Sequence, residues 1–463
     1  MTLIKSISGI RGTVGGKQGE NLTPTDIVKI TCGYAQWLNK NNPQKSKLHV
    51  VVGRDARISG PNVKSIIINT LTMCGIDVTD IGLATTPTTE MAVTGLNADG
   101  GIIITASHNP KEWNALKLLN NKGEFVSGQD GKYILDASEN ADFNFANVDN
   151  LGKTTQCDYL DKHIEKILAL KLVDTQAIKQ ANFNVCADVI NSVGAIALPK
   201  LFKALGVENF TIINAEANGK FNHNPEPLKE NLVELAQKVV DNKADVGFAV
   251  DPDVDRLAIM CENGEMFGEE YTLVSVADYV LQNQKGNTVS NLSSSRALKD
   301  ITEKNKCQYS ASAVGELNVV AEMKRTNAII GGEGNGGVIL PKLHYGRDSL
   351  VGIALFLTYI AKKKIKVSEL KNTYPQYFMS KNKIQLTPQI NVDKVLLDVK
   401  ETYKKQNVKI TDIDGVKIDF STEWVHLRKS NTEPIIRIYT ESTSQQNADN
   451  LAIKMIDEIK KLI

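Results

Sequence analysis

"NFNVCADVINSVGAIALPKLFKALG", residues 182–206, decides the fold class. It reads as a strand, a polar turn and a helix in immediate succession. The same rhythm extends in both directions. "KLHVVVGRDAR" (47–57) predicts a strand ending in charge, and "GPNVKSIIINTLTMCG" (60–75) an amphipathic helix closed by Gly75. "IDVTDIGLATTPT" (76–88) reads as extended, and "ADVGFAVDPDVDRLAIM" (244–260) as strand, acidic turn, strand. Such alternation predicts α/β layers with largely parallel sheets. The last 80 or so residues differ. A hairpin-like "DIDGVKIDF", a strand "PIIRIYTE" and a terminal helix "QNADNLAIKMIDEIKKLI" predict a smaller α+β domain.

With 463 residues the chain exceeds what one core supports, about 250–300 residues, so two to four domains are expected. Polar stretches place boundaries near 136–155, just after Arg256 and near 371–383. The resulting segments are 1–150, 151–256, 257–372 and 373–463. Lys and Arg (54) balance Asp and Glu (53), which leaves no electrostatic case for nucleic acid or an acidic membrane. "MTLIKSISGIRGTVGG" lacks the apolar core of a signal peptide. "LVGIALFLTYIA" (350–361) is too short to span a bilayer and reads as a buried helix. The cysteines at 32, 74, 157, 186, 261 and 307 include no CxxC, which argues against structural zinc and a disulfide framework. Reduced thiols in a cytoplasmic protein are expected.

Four stretches carry chemistry. In "GGIIITASHNPKEWNALK" (100–117) a buried-looking strand runs into Ser107-His108. Ser107 is a candidate nucleophile and His108 a partner for proton or phosphate handling. An Asn-Pro turn capped by Ser competes equally, and the Gly-x-Ser-x-Gly elbow is absent. In Asp251-Pro252-Asp253-Val254-Asp255-Arg256, extended backbone points three carboxylates one way, an arrangement relieved by a hard cation such as Mg²⁺ or Ca²⁺. An EF-hand is excluded, because Arg256 stands where its turn needs Gly.

"GGEGNGGVILPKLHYGRDSL" (331–350) offers Glu333 and Asn335 to sugar hydroxyls, although a flexible turn explains the glycines as well. His344 in this stretch reads equally as a packing histidine. In "LRKSNTEPIIRIYTE" (427–441), Arg428, Ser430, Asn431, Thr432 and Arg437 form a donor cluster suited to phosphate. Together, a hydroxyl nucleophile, a divalent cation, a hydroxyl-reading loop and a phosphate clamp suit phosphoryl transfer on a small sugar phosphate.

At this point the sequence resembles the α-D-phosphohexomutase superfamily. "TASHNP" is similar to its phosphoserine loop, "DPDVDR" to its metal loop, "GGEGNGG" to its sugar loop and "RKSNTEP" to its phosphate loop. "SGIRG", "VGRDARISG" and "FNHNPEPLKENL" resemble further family segments, in order over essentially the whole chain. The resemblance implies an isomerase with four domains around a central cleft, the first three being related α/β modules. The four segments above become phosphoserine-loop, metal-loop, sugar-recognition and phosphate-binding domains.

It also implies that Ser107 is phosphorylated in the resting enzyme, with one Mg²⁺ per chain held by Asp251, Asp253, Asp255 and the Ser107 phosphoryl group. Arg256 would orient the sugar or neutralise the transferring group. Arg11 and Lys117 would lie near the reacting hydroxyl, Lys117 as a proton-transfer group, and His108 would steady the phosphoserine. A hexose bisphosphate is implied as intermediate and activator, and the assembly as monomer or homodimer. Many members have Ser and then Gly-His in the sugar loop; here Asn335, Gly336 and Gly337 stand, and His344 becomes a candidate substitute. This loop form, with "GRD" following, is similar to members assigned as phosphoglucosamine mutases. It implies glucosamine phosphate as substrate, with phosphomannomutase/phosphoglucomutase the close alternative. A non-catalytic sugar-phosphate-binding regulator and a metal-dependent phosphatase are rivals from other classes.

Overall fold

The structure is a computed structural model that describes residues 2–6, 9–387, 390–429 and 435–462. The chain divides into two compact units, Met1–Thr272 with Asn335–Glu369, and Leu273–Gly334 with Leu370–Ile463.

In the first unit, one sheet contains β1 (Ile4–Ser6), β2 (Gly9–Thr13), β3 (His49–Arg54), β4 (Asp77–Leu83), β5 (Gly100–Ile104), β6 (Trp113–Leu119) and β7 (Thr154–Gln156), in the order β1-β2-β6-β5-β3-β4-β7. β5, β3, β4 and β7 are mutually parallel, while β6, β2 and β1 extend the sheet antiparallel. The apolar runs of β3 and β5 are explained by burial on both faces. Val50, Val52, Ile102 and Ile104 pack on one side with Ile67 and Leu71, and Val51 and Ile103 on the other with Met91 and Val93. A second sheet contains β8 (Asn184–Asp188), β9 (Asn209–Ile213), β10 (Val246–Val250) and β11 (Leu257–Cys261), ordered β11-β10-β8-β9, with β11 antiparallel to β10.

The second unit carries the parallel strands β12 (Thr288–Asn291), β13 (Tyr309–Ser312) and β14 (Ile330–Glu333). β15 (Gly337–Ile339) belongs to the first unit, where Ile339 bridges to Arg347. The rest of the second unit is an antiparallel sheet of β16 (Phe378–Gln385), β17 (Lys409–Thr411), β18 (Val416–Asp419), β19 (Trp424–Lys429) and β20 (Ile435–Ser442), ordered β16-β20-β19-β18-β17. The terminal helix Gln445–Lys460 packs into its core through Leu451, Met455 and Ile459.

Several expectations need correction. Two boundaries cut through sheets: β7 pairs with β4 beyond residue 150, and β11 pairs with β10 beyond Arg256. The segment 257–372 is split between the two units. Residues 86–88 are helical rather than extended, because Thr85 caps the helix Thr86–Gly95 through Thr88 N and Pro87 fits its first turn. The apolar stretch 350–361 is indeed a helix, Ser349–Lys363, buried from residue 349 to 361. No helix among the described residues is long and apolar enough to cross a membrane. The six cysteines are free.

Candidate active site

β5 delivers the chain to Thr105–Pro110, where Ser107 adopts φ +47°, a left-handed conformation that a residue with a Cβ avoids. Strain of this kind costs on the order of 1–3 kcal/mol and persists only where the surroundings enforce it. Here Thr105 Oγ1 accepts from Ser107 N at 2.9 Å. The Arg57 guanidinium donates to the carbonyls of Ser107, Asn109 (2.6 Å), Pro110 (2.6 Å) and Trp113 (2.9 Å). Its Nε donates to Asp55 Oδ2 at 3.0 Å, and Thr105 Oγ1 donates to the same oxygen at 2.7 Å. Arg57 and Asp55 are both fully buried. Asp55 and Arg57 lie in "VGRDARISG", where no local pattern marks them as the frame of the serine loop.

The carboxylates converge through a turn, not through the extended alternation expected. Val254 N bonds Asp251 O at 3.0 Å, and Val254 sits at φ +61°, unusual for a β-branched residue. Asp251, Asp253 and Asp255 each bring a carboxylate oxygen within 4.8 Å of the others, all fully buried. At that separation two charges repel by about 3 kcal/mol with an effective dielectric near 20. Burial, then Asp253 and Asp255, push Asp251 well above the usual carboxylate range. Burial also presses on Asp253, but Lys117 and hydrogen bonds from Asp251, Lys117 and Thr86 hold it low.

Ser107 Oγ donates to Asp251 Oδ2 at 2.6 Å, which joins the two loops. Asp251 Oδ1 accepts from the backbone of Asp255 and Arg256 at 3.2 and 3.1 Å. Thr86 donates its hydroxyl to Asp253 Oδ2 at 2.6 Å, and Arg347 donates to Asp255 Oδ2 at 2.7 Å. Asp253 Oδ1 and Asp255 Oδ1 are buried without a hydrogen-bond partner. Orphaned, hard, anionic oxygens on one turn fit a divalent cation such as Mg²⁺.

Other expected residues gather here. Lys117 Nζ lies 2.7 Å from Asp253 and 3.5 Å from Asp255; burial opposes its charge, but the two carboxylates raise its pKa. Arg11 shares a sheet face with Lys117, because Gly9 pairs with Lys117 and Arg11 with Ala115. His108 Nδ1 is 3.4 Å from Ser107 Oγ. Burial, then Arg256, drive its pKa down to about 2, so it is a neutral imidazole. Arg256 Nη1 meets Glu226 at 3.1 Å, while its buried Nε has no hydrogen-bond partner.

The sugar loop departs from expectation. Asn335 Oδ1 accepts from Gly337 N at 3.2 Å, closing a local turn. The close approach that its glycines permit is to protein. A Cβ on Gly336, at φ +85°, would meet Leu257 O at 2.3 Å, and one on Gly337 would meet Arg347 Cδ at 2.4 Å. Glu333 ends β14 in the second unit, where it accepts from Asn291 Nδ2 at 2.9 Å and Gly315 N at 3.1 Å.

His344, the candidate substitute for a sugar-loop histidine, is engaged with carboxylates of the first unit. Both its nitrogens face carboxylates, Nδ1 to Glu90 and Nε2 to Asp348, each at 3.3 Å. Burial pulls its pKa down, but hydrogen bonds to Asp348 and Glu90 outweigh that and push it up to about 9. A raised histidine stabilises the fold below its unfolded pKa and loses that contribution as pH rises through the folded value. In chelator, wild-type unfolding free energy is therefore expected to fall by on the order of 3 kcal/mol more than that of His344→Gln between about pH 6.5 and 9. Denaturant titrations across that window check this; parallel slopes in the two proteins contradict it.

In the second unit, Arg428 and Arg437 stand directly opposite across β19 and β20, and Lys383 stands opposite Arg437 on β16. Three cations in a row on one sheet face repel, and an oxyanion relieves them. Asp414 Oδ2 holds Arg428 Nε at 2.8 Å. Lys383 joins this row only through strand register, which the sequence does not display. Ser430, Asn431 and Thr432 lie outside the described residues.

Comparison with known proteins follows this geometry. Four family models match in order: "Phosphoglucomutase/phosphomannomutase, alpha/beta/alpha domain I" at residues 3–145, domain II at 159–264, domain III at 268–377, and the C-terminal domain at 386–458. A Thermococcus kodakarensis protein named phosphoglucomutase/phosphomannomutase is 36% identical over 97% of this chain and 99% of its own. A Sulfurisphaera tokodaii protein named phosphoglucosamine/phosphogalactosamine mutase is 33% identical over 98% of both chains. The crystal structure of a Burkholderia thailandensis phosphoglucomutase/phosphomannomutase family protein superposes with a TM-score of 0.83 at 25% identity, covering 98% of this chain and 97% of that one.

Proposed function

The chain belongs to the phosphoglucomutase/phosphomannomutase family of phosphohexomutases, and on that premise we propose that it interconverts glucosamine 6-phosphate and glucosamine 1-phosphate through a phosphoserine at Ser107 and a bisphosphosugar. The observation that carries this reading is the 2.6 Å contact of Ser107 Oγ with Asp251, beside two carboxylates that each retain an unpartnered oxygen.

In the first transfer the bond between Ser107 Oγ and phosphorus breaks as one forms to the free sugar hydroxyl. The hydroxyl proton passes to Ser107 Oγ, and Asp251 is in place to accept the resulting O–H. The second transfer reverses these changes at the other end of the bisphosphosugar, so no phosphate is released. Asp251, Asp253 and Asp255 would hold Mg²⁺, which when bound offsets the charge of the transferring group. Lys117 and Arg256 supply fixed positive charge beside the same oxygens, and neutral His108 offers a hydrogen bond without competing as a cation. The row Lys383, Arg437 and Arg428 has the chemistry to anchor a phosphate ester.

For glucosamine, support comes from the Gly336-Gly337 form of the sugar loop and from the 33% identical relative named for amino sugars. The relative at 36% identity carries the phosphoglucomutase/phosphomannomutase name and favours the second reading, glucose and mannose phosphates. A coupled assay of glucosamine, glucose and mannose phosphates on one preparation separates them. The expected result is a kcat/KM for glucosamine phosphate at least tenfold above the others, a preference of about 1.4 kcal/mol. Equal or reversed values reject the amino sugar. Stoichiometric release of inorganic phosphate would reject a mutase in favour of a phosphatase.

A further inference from the structure

One cluster of the first unit takes no part in this chemistry. His163, on the helix Leu160–Leu168, directs Nε2 at Asp348 Oδ2 from 3.0 Å, and His344 directs Nε2 at the same oxygen from 3.3 Å. The three donor atoms lie within 4.8 Å of one another, and the two rings are perpendicular. His163 and Asp348 are buried and His344 is 12% exposed, so the cluster is largely shielded from solvent. We infer that His163, His344 and Asp348 form a second cation site, separate from the aspartate loop, that takes a transition-metal dication of the Zn²⁺ type.

Four features support this. First, two imidazoles and one carboxylate are a borderline-soft donor set that favours Zn²⁺ or Co²⁺, whereas the all-oxygen aspartate loop favours Mg²⁺. Second, the two N···O separations of 3.0 and 3.3 Å are close to the edge of a tetrahedron with bonds of about 2.0–2.1 Å, roughly 3.3 Å.

Third, the far nitrogen of His163 already has a partner that fixes a metal-binding tautomer, Thr88 Oγ1 at 3.0 Å from Nδ1. His344 Nδ1 faces the Glu90 carboxylate at 3.3 Å. Asp348 Oδ1 is committed to the cap of the helix Ser349–Lys363 through Leu350 N and Val351 N, which leaves Oδ2 for the cluster. Fourth, the backbone closes tightly over the group. A Cβ on Gly346 would stand 1.8 Å from Glu90 Oε2 and 2.9 Å from His344 Cε1.

A dication would replace hydrogen between the imidazoles and Asp348 and balance the carboxylates of Asp348 and Glu90. It would cross-tie the helix Leu160–Leu168, the loop before Asp348 and the helix Ser349–Lys363. Three protein ligands leave a fourth position for water.

The test uses the full chain, stripped with chelator and then equilibrated with Co²⁺ in saturating Mg²⁺, which competes for the aspartate loop. Wild type is expected to retain about one equivalent of Co²⁺, with the strong visible absorption of a four-coordinate site, and Zn²⁺ to displace it while raising the thermal midpoint. His163→Gln and His344→Gln are each expected to bind Co²⁺ at least ~10-fold more weakly. A wild type that binds no Co²⁺ in excess Mg²⁺ overturns the proposal without any variant needing to fold. Equal retention and equal spectra in wild type and either variant overturn it too. Neither readout depends on mutase activity, so the sugar-phosphate reading stands or falls separately.

Discussion

Replacing Ser107 by Ala abolishes turnover, with kcat at least ~1,000-fold below wild type, a loss of more than about 4 kcal/mol of transition-state stabilisation. On the proposed mechanism the reaction needs a phosphoryl carrier at Ser107, whose hydroxyl reaches Asp251 at 2.6 Å. No neighbouring group replaces it: Thr105 Oγ1 is spent on Ser107 N and Asp55 Oδ2. The substitution leaves the fold intact, because Ala keeps the Cβ, and the loop is held through backbone carbonyls that Arg57 still binds. Intact-mass measurement of the native protein completes the test. Wild type is expected to carry one phosphoryl group that maps to Ser107, and the variant none. Activity above a thousandth of wild type in Ser107→Ala, or a phosphorylated variant, rejects the phosphoserine mechanism. The same measurement speaks to the rival classes, since a sugar-phosphate-binding regulator needs no phosphoserine and a phosphatase would not return the group.

The parts of this site legible in the sequence are those whose partners are sequence neighbours. Ser107-His108 follows an apolar strand, and the aspartates alternate over five residues, so chemistry and spacing appear in one glance. Even there the geometry was hidden. The carboxylates meet because Val254 turns left-handed, which β-branched residues rarely signal. What the sequence concealed are contacts across long separations: Arg57 with Ser107 over 50 residues, Arg347 with Asp255 over 92, Thr86 with Asp253 over 167. No local pattern distinguishes Arg57 from a surface arginine. For His344 the concealed partner is Glu90, which lies far away in sequence on the helix Thr86–Gly95, whereas Asp348 is only four residues on. For the fold, period and composition identify strands such as β3 and β5, where whole runs are apolar. They fail at Thr85–Thr88, where β-branched residues suggest a strand, and the usable sign was a capping threonine with Pro87 in the first helical turn.

Arg57→Met is expected to cost more than any surface substitution and to act on both stability and rate. Methionine fills part of the space but supplies none of the five donated bonds. Asp55 is then left buried without its cation, and the carbonyls of Ser107, Asn109, Pro110 and Trp113 lose their donor. Breaking a buried ion pair from one side costs about 3–5 kcal/mol. Burial already pushes Asp55 up, with Arg57 opposing, so without Arg57 its carboxyl takes up a proton at higher pH. The double variant Asp55→Asn with Arg57→Met separates the two effects. It removes the unpaired charge, while the single Asn oxygen still accepts from the backbone N–H of residue 57 and its amide nitrogen is in place to donate to Thr105 Oγ1. Unfolding free energy should therefore recover by roughly half relative to Arg57→Met. The rate should not recover, because the carbonyls that help hold Ser107 at φ +47° still lack their donor, and a misplacement of about 1 Å costs on the order of 100-fold in kcat. Denaturant midpoints and kcat on the same three proteins decide the matter. Recovery of both together would make Arg57 a plain charge partner of Asp55. Recovery of stability alone identifies it as the residue that holds the nucleophile's backbone in its strained, reactive position.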